Sequence, residues 1–286
     1  MVNPTIRMAT PDEARECGII RYDAFKAIAE QHHFPSGTLS PEFAAASFSR
    51  WISHPGYYVV VAKLEGRIVG SNVLDERSAI SGLGPVTVDP TVQNRMVGSR
   101  LMQAALQRVS ERRCPGVRLV QAAYHTRSLC LYTKLGFEVH ELLVNLQGPA
   151  LALEVPGHMV RRAHREDLEG CNALCRRVHG HDRSGELLDA ITEGTATVVE
   201  HEDRLTGYAT MVGFAGHAVG GSNTDLQALI GGASEFVRSG FLLPARTGEL
   251  FRWCLDRGLR MVQPFTLMSM GLYNEPRGAF LSSIIY

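Results

Sequence analysis

The residues best placed to do chemistry in this 286-residue sequence lie in one short run, Gln93-Asn94-Arg95-Met96-Val97-Gly98-Ser99. Before it stand Val86, Thr87 and Val88, three β-formers that Asp89-Pro90 brings to a stop. After it, Leu101, Met102, Ala105, Leu106 and Val109 recur on one helical face. The turn between strand and helix therefore presents free backbone N–H groups at a helix N-terminus. That end carries roughly half a positive charge and is a ready site for a pyrophosphate. Arg95 and Arg100 add formal positive charge beside it.

The turn resembles the acyl-CoA signature of the GNAT superfamily of N-acetyltransferases, Gln/Arg-x-x-Gly-x-Gly/Ala, read here as Gln93-Asn94-Arg95-Met96-Val97-Gly98. A second run, Ser128-Leu-Cys-Leu-Tyr132-Thr-Lys-Leu-Gly136-Phe137, is similar to the family's Leu-Tyr-x-x-x-Gly-Phe, with a predicted strand from Val117 to Ala123 between the two. The resemblance covers residues 4–150. It implies acetyl-CoA as acyl donor, no metal, and acetyl transfer to an amine. On the matching positions it places Gln93, Asn94, Arg95, Met96, Val97, Gly98, Ser99 and Ser128 at the cofactor. Val86 and Val88 pair with its pantetheine arm, and Tyr132 is the acid that protonates the departing thiolate. One position departs from the pattern: Met96 stands where the family has Gly. A left-handed Met costs on the order of 1–2 kcal/mol, which a right-handed backbone at this position would avoid; the alternative is weakened cofactor binding.

Transfer to an amine also needs a proton acceptor, because a lysine-like amine has a pKa of about 10.4 and the free thiol one of about 8.5. The family's carboxylate on the splayed strand has no counterpart between Ala79 and Val88. His125, at a strand end, titrates near neutrality and is a catalytic candidate, though such a histidine more often caps the next helix. Asp75, Glu76, Glu30, His32, His33 and the terminal carboxylate of Tyr286 are further candidates, with a water chain an equal alternative.

The elements that must position these groups follow from pattern. Helices are predicted from Asp12 to Ala29 and from Ser40 or Pro41 to Ile52, and strands from Tyr57 to Lys63 and Arg67 to Leu74 around the turn Glu65-Gly66. Gly82 and Gly84-Pro85 interrupt the strand from Ala79 to Val88 and predict a bulge or splay. The second half echoes the first. Val160-Arg161-Arg-Ala163 repeats Ile6-Arg7-Met-Ala9, Thr197 to Gly207 aligns with Val60 to Gly70, and Arg257-Gly258-Leu259-Arg260 repeats Leu135-Gly136-Phe137-Glu138. The fold expected is α/β, two tandem GNAT-like domains, each a mixed, largely antiparallel twisted sheet flanked by helices. Residues 1–148 form the domain with the acyl-CoA motif, 149–157 the linker and 158–286 a degenerate copy. Between Ala218 and Ala233 that copy has no basic residue and no phosphate motif, and Cys254 stands where Tyr132 does.

Composition bounds the partners. Lys and Arg total 29 and so do Asp and Glu, so no broad attraction to nucleic acid or an anionic membrane is implied. No apolar run approaches the ~20 residues that span a bilayer, and the N-terminus lacks a signal-peptide core. The six cysteines show no paired or zinc spacing and read as buried, reduced thiols of a cytoplasmic protein. The expected acceptor is a small-molecule amine, with association into a homodimer left open. The rival reading is a non-catalytic CoA-sensing or protein-binding module.

Overall fold

Both halves of the chain begin with the same side-chain device. Arg7 donates to the Glu13 carboxylate, which also accepts from the Thr10 backbone N–H. Arg161 donates to Asp167, which accepts from the His164 N–H in the same way. In each case the carboxylate caps the first turn of a helix and ties it to the preceding strand. The computed structural model describes residues 4–37, 40–93, 95–237 and 240–285.

In the first half, β1 (Thr5–Met8), α1 (Ala14–Gln31), α2 (Pro41–Ser53), β2 (Tyr57–Leu64), β3 (Arg67–Asp75) and β4 (Ser81–Val88) lead to α3 (Val97–Glu111). Then come β5 (Gly116–Ala122), α4 (Thr126–Lys134) and β6 (Glu138–Gln147). The second half runs β7 (His158–Arg162), α5 (Leu168–His179), α6 (Ser184–Glu193), β8 (Thr197–His201), β9 (Arg204–Ala209), β10 (Ala218–Gly220) and α7 (Asn223–Gly232). It closes with β11 (Phe241–Pro244), α8 (Gly248–Asp256), β12 (Arg260–Gly271) and β13 (Ala279–Leu281).

The repeat extends to detail. The β2–β3 hairpin turns on Glu65 and Gly66, the β8–β9 hairpin on Glu202 and Asp203, all four at positive φ. Such turns match the twist of the flanking strands. Each hairpin carries a bulge at the equivalent place, between Ala62 and Lys63 and between Val199 and Glu200. Each last helix ends on a glycine at positive φ, Gly136 and Gly258.

The strands form an eight-stranded sheet in the order β1-β2-β3-β4-β5-β12-β6-β11 and a five-stranded sheet in the order β13-β10-β9-β8-β7. Pairing is antiparallel except at β4–β5. The two halves exchange a strand. β12, from the second half, lies between β5 and β6, and β6, from the first, lies between β12 and β11. Leu143 packs with Phe265, Leu267 and Leu242, while Val144 and Leu146 enter the core of the second half. Each such fully buried side chain contributes about 1.5–3 kcal/mol, so the halves are held to each other by core packing. The sheets thus divide the strands differently from the chain segments 1–148 and 158–286.

Buried Cys17, Cys171, Cys175 and Cys254 fit the expectation for the thiols, and the surface places of Cys114, partly buried, and Cys130, exposed, correct it. No described helix is long and apolar enough to cross a membrane.

Candidate active site

β4 and β5 pair only at Ser81 with Val117 and Gly82 with Arg118, then diverge. Beyond that point β4 is held by β3 alone and β5 by β12. The Asp89 N–H donates to the Val69 carbonyl of β3, at 2.9 Å. Successive residues of a strand alternate sides, so Val88 and Val86 turn their N–H and C=O groups toward the opening. The Gln93 side chain reaches the Val88 carbonyl from that side, at 3.4 Å. An unpaired strand edge lining a cleft is suited to amide groups of a bound extended chain.

The cleft opens onto the N-terminus of α3. Its N-cap, Met96, has φ 58° and ψ 7° and offers no side-chain cap, and no acidic residue stands in the first turn. Among the described residues, the first-turn amides therefore have no acceptor from within the helix or its cap. Of the two alternatives, the backbone does not stay right-handed: Met96 is left-handed. Its side chain is 62% exposed, so no packing forces this conformation. The left-handed residue turns the chain from Gln93 into the helix so that the amides face the cleft. Gly98 sits on the floor of the turn, where an added Cβ would meet Val88 and Leu131 at ordinary contact distance. Arg127, on the first turn of α4, donates to Gln93 at 2.6 Å and carries positive charge to the same end. Arg100 donates instead to the Pro4 carbonyl.

Tyr132 approaches from α4. It is 8% exposed, with Phe137 beside it, and burial pushes its phenol up to about 12 against the lesser, opposing influence of the Ser128 hydroxyl. The phenol is thus protonated at neutral and mildly alkaline pH. His125 is the N-cap of α4: its Nδ1 accepts from the Ser128 N–H at 3.0 Å. Burial lowers its pKa below the usual imidazole value, so it is neutral near pH 7.

One cavity of about 390 Å³ brings these groups together: Val86, Val88, Gln93, Met96, Val97, Gly98, Ser99, His125, Ser128 and Tyr132 all line it. Arg95 is exposed and does not line it. Asn94 lies outside the described residues, as does Tyr286. The opposite wall comes from α1 and α2, with Phe25, Ile28, Phe43 and Trp51, and from the second half, with Phe214, Phe265, Ile284 and Ile285. The chain reaches this wall by way of β13. The Ile284 N–H donates to the Phe214 carbonyl at 2.9 Å, and Ser283 donates to the Ala215 carbonyl.

The equivalent cleft of the second half is filled by the protein itself. β13 pairs with β10 and continues into a bridge between Ser282 and Leu242 of β11, so it occupies the gap where β4 and β5 part in the first half. At the N-terminus of α7, Asp225 accepts from the Ser222 N–H at 2.8 Å and completes a capping box. An intramolecular carboxylate sits where the first half leaves its amides open.

Comparison with known proteins agrees with this geometry. Residues 23–137 match the model of the acetyltransferase (GNAT) family. Those residues thus carry the GNAT fold. Two solved structures match over almost their whole length. A protein designated an acetyltransferase in Pyrococcus horikoshii is 18% identical with a TM-score of 0.74, over 100% of this chain and 94% of that one. A GCN5-related N-acetyltransferase from Sphaerobacter thermophilus is 16% identical with a TM-score of 0.60, over 95% of this chain and 96% of that one. These likenesses show the fold in both halves. No curated protein sequence matches at a significant level.

Within the GNAT domain the remaining candidate bases are engaged away from the cavity. Asp75 pairs with Arg77, which also bonds Asp189 of the second half at 2.7 Å. Glu76 binds Arg108 and Arg112, and Glu30 pairs with Lys26. The His32 ring lies 5.4 Å from that of Tyr124, and neither His32 nor His33 lines the cavity. Sequence reasoning missed Arg127, whose signal was a basic residue in the first turn of the helix carrying Tyr132. It also missed Arg21, Phe25, Trp51, Phe214, Gln263 and Ile285, which reach the cavity only through tertiary packing.

Proposed function

We propose that the GNAT domain transfers an acetyl group from acetyl-CoA to the amine of a small molecule, and that the second half walls the acceptor side without being a catalyst itself. What supports this reading most is the convergence of uncapped α3 amides, the open edge of β4 and the Tyr132 phenol on one cavity. The amides of Val97, Gly98 and Ser99, with Gln93 and Arg127, hold the pyrophosphate. The edge of β4 aligns the pantetheine arm, and the Val88 N–H polarises the thioester carbonyl. The amine attacks that carbonyl, the carbon–sulfur bond breaks, Tyr132 supplies the proton to the departing sulfur, and the proton shed by the new amide nitrogen restores the Tyr132 hydroxyl. His125 holds α4, and with it Tyr132, in place. The amine loses its proton because the apolar cavity disfavours its charged form.

Calorimetric titration with acetyl-CoA tests the reading. One molecule is expected to bind per chain, since β13 and Asp225 occupy the second cleft. Absence of heat at millimolar ligand would sink the transferase reading, and two equivalents would sink the role given to the second half. Thiol release across an amine panel separates a catalyst from a CoA sensor.

A further inference from the structure

We infer that the acceptor carries a single amine on an otherwise apolar body of aromatic size; this rests on the transferase reading above. The acceptor wall is built from Phe25, Ile28, Phe43, Trp51, Phe214 and Phe265. Among the described residues lining the cavity there is no Asp, Glu or Lys; the charged side chains are Arg21 and Arg127. Arg127 belongs to the phosphate end, where it bonds Gln93. Arg21 lies on the acceptor side, its guanidinium carbon 5.2 Å from the centroid of the Trp51 ring.

Two consequences follow. The reacting amine enters a place where desolvation lowers its pKa and so frees its lone pair. A second ammonium on the same molecule meets the same cost with no gain. It finds no acidic side chain on the described walls, and burying an unpaired charge is strongly unfavourable. Polyamines and aminoglycoside-like polycations are therefore rejected. Aromatic walls instead favour an aromatic body through area burial and edge-to-face or offset contact.

The experiment uses the full chain saturated with CoA and titrates it with 2-phenylethylamine and with spermidine. The monoamine is expected to bind at least about tenfold tighter, and thiol release from acetyl-CoA to favour it by at least about a hundredfold in kcat/KM. Equal or tighter binding of spermidine, or no binding of either amine, overturns the assignment. Phe25→Glu, on a half-buried face of α1, places a carboxylate in the wall and is expected to narrow the preference by about tenfold, with Phe25→Gln as the neutral control. A preference unmoved by Phe25→Glu, or moved equally by Phe25→Gln, overturns its electrostatic basis. Failure of acetyl-CoA itself to bind would instead remove the transferase reading, so the two failures are distinguishable.

Discussion

The carbonyl oxygen of Ile285 occupies the space a side chain on Gly82 would need: a Cβ built there would lie 2.2 Å from it. Gly82 is the last β4 residue paired with β5 before the strands diverge. The C-terminal segment is thus seated at the apex of the cleft, and the seat exists because this position has no side chain.

Gly82→Ala is accordingly expected to displace Ile284 and Ile285 from the acceptor wall. The backbone carbonyl must move by more than an ångström, and misplacement on that scale costs about tenfold or more in positioning. The loss should fall on kcat/KM for the amine and leave acetyl-CoA affinity unchanged, because the phosphate end lies elsewhere in the cavity. Steady-state kinetics with calorimetry would check it. Equal losses for both substrates would mean that Gly82 supports the strands and not the wall.

Tyr132→Phe removes a hydroxyl and little volume from a buried site. Turnover is expected to fall by about a hundredfold or more, the usual range for a lost proton donor. Acetyl-CoA affinity and thermal midpoint should stay near wild type. Because burial holds the phenol up at about 12, the wild-type rate should show no downturn from this group below pH 10. A Tyr132→Phe rate equal to wild type across that range would remove Tyr132 from the mechanism.

The family resemblance of the phosphate turn and the helix carrying Tyr132 was legible because both are local: a few residues, their order and a 3.6-residue period specify them. The hairpins and the repeat were legible for the same reason, with Val60–Gly70 and Thr197–Gly207 sharing even their bulge. The exchange of β6 and β12 was not. An alternating strand says which face is buried, not which strand it pairs with. The acceptor wall was equally hidden, since Phe25, Phe214 and Ile285 meet only after the two halves pack. The handedness of Met96 was left open because local cost alone favours a right-handed backbone, whereas the observed turn is left-handed.

Met96→Gly tests that last point. A left-handed Met costs about 1–2 kcal/mol, and Gly in exchange loses about 0.5–1 kcal/mol of unfolded-state entropy. With the side chain largely exposed, little packing is lost. The variant is expected to be as stable as wild type or more stable by up to about 1 kcal/mol, with acetyl-CoA affinity maintained or improved. Denaturant melts and calorimetry would measure both. A destabilisation beyond about 1 kcal/mol would mean that the Met96 side chain makes contacts that matter.

Acid should loosen the packing around His217 in the second half. His217 is 1% exposed; the Tyr208 hydroxyl lies 3.1 Å from its Nε2 and the Glu186 carboxylate 3.0 Å from its Nδ1. That arrangement suits a neutral ring whose Nε2 accepts from the Tyr208 hydroxyl while its Nδ1 faces the Glu186 carboxylate. Burial foremost, with the Arg183 charge, pushes its pKa down to about 4, and burial does the same to His181. An unfolded histidine titrates near 6.5. Between these values the unfolded chain binds more protons than the folded one, so stability rises with pH across the window from about 4 to about 6.5 and levels off above it. Each such histidine contributes a slope of up to about 1.4 kcal/mol per pH unit there. His217→Gln, which keeps a polar ring-sized group, should remove one proton's share of that slope. Urea midpoints at pH 4.5, 5.5 and 7.5 would show it, and an unchanged slope would mean that His217 is already charged in the folded protein.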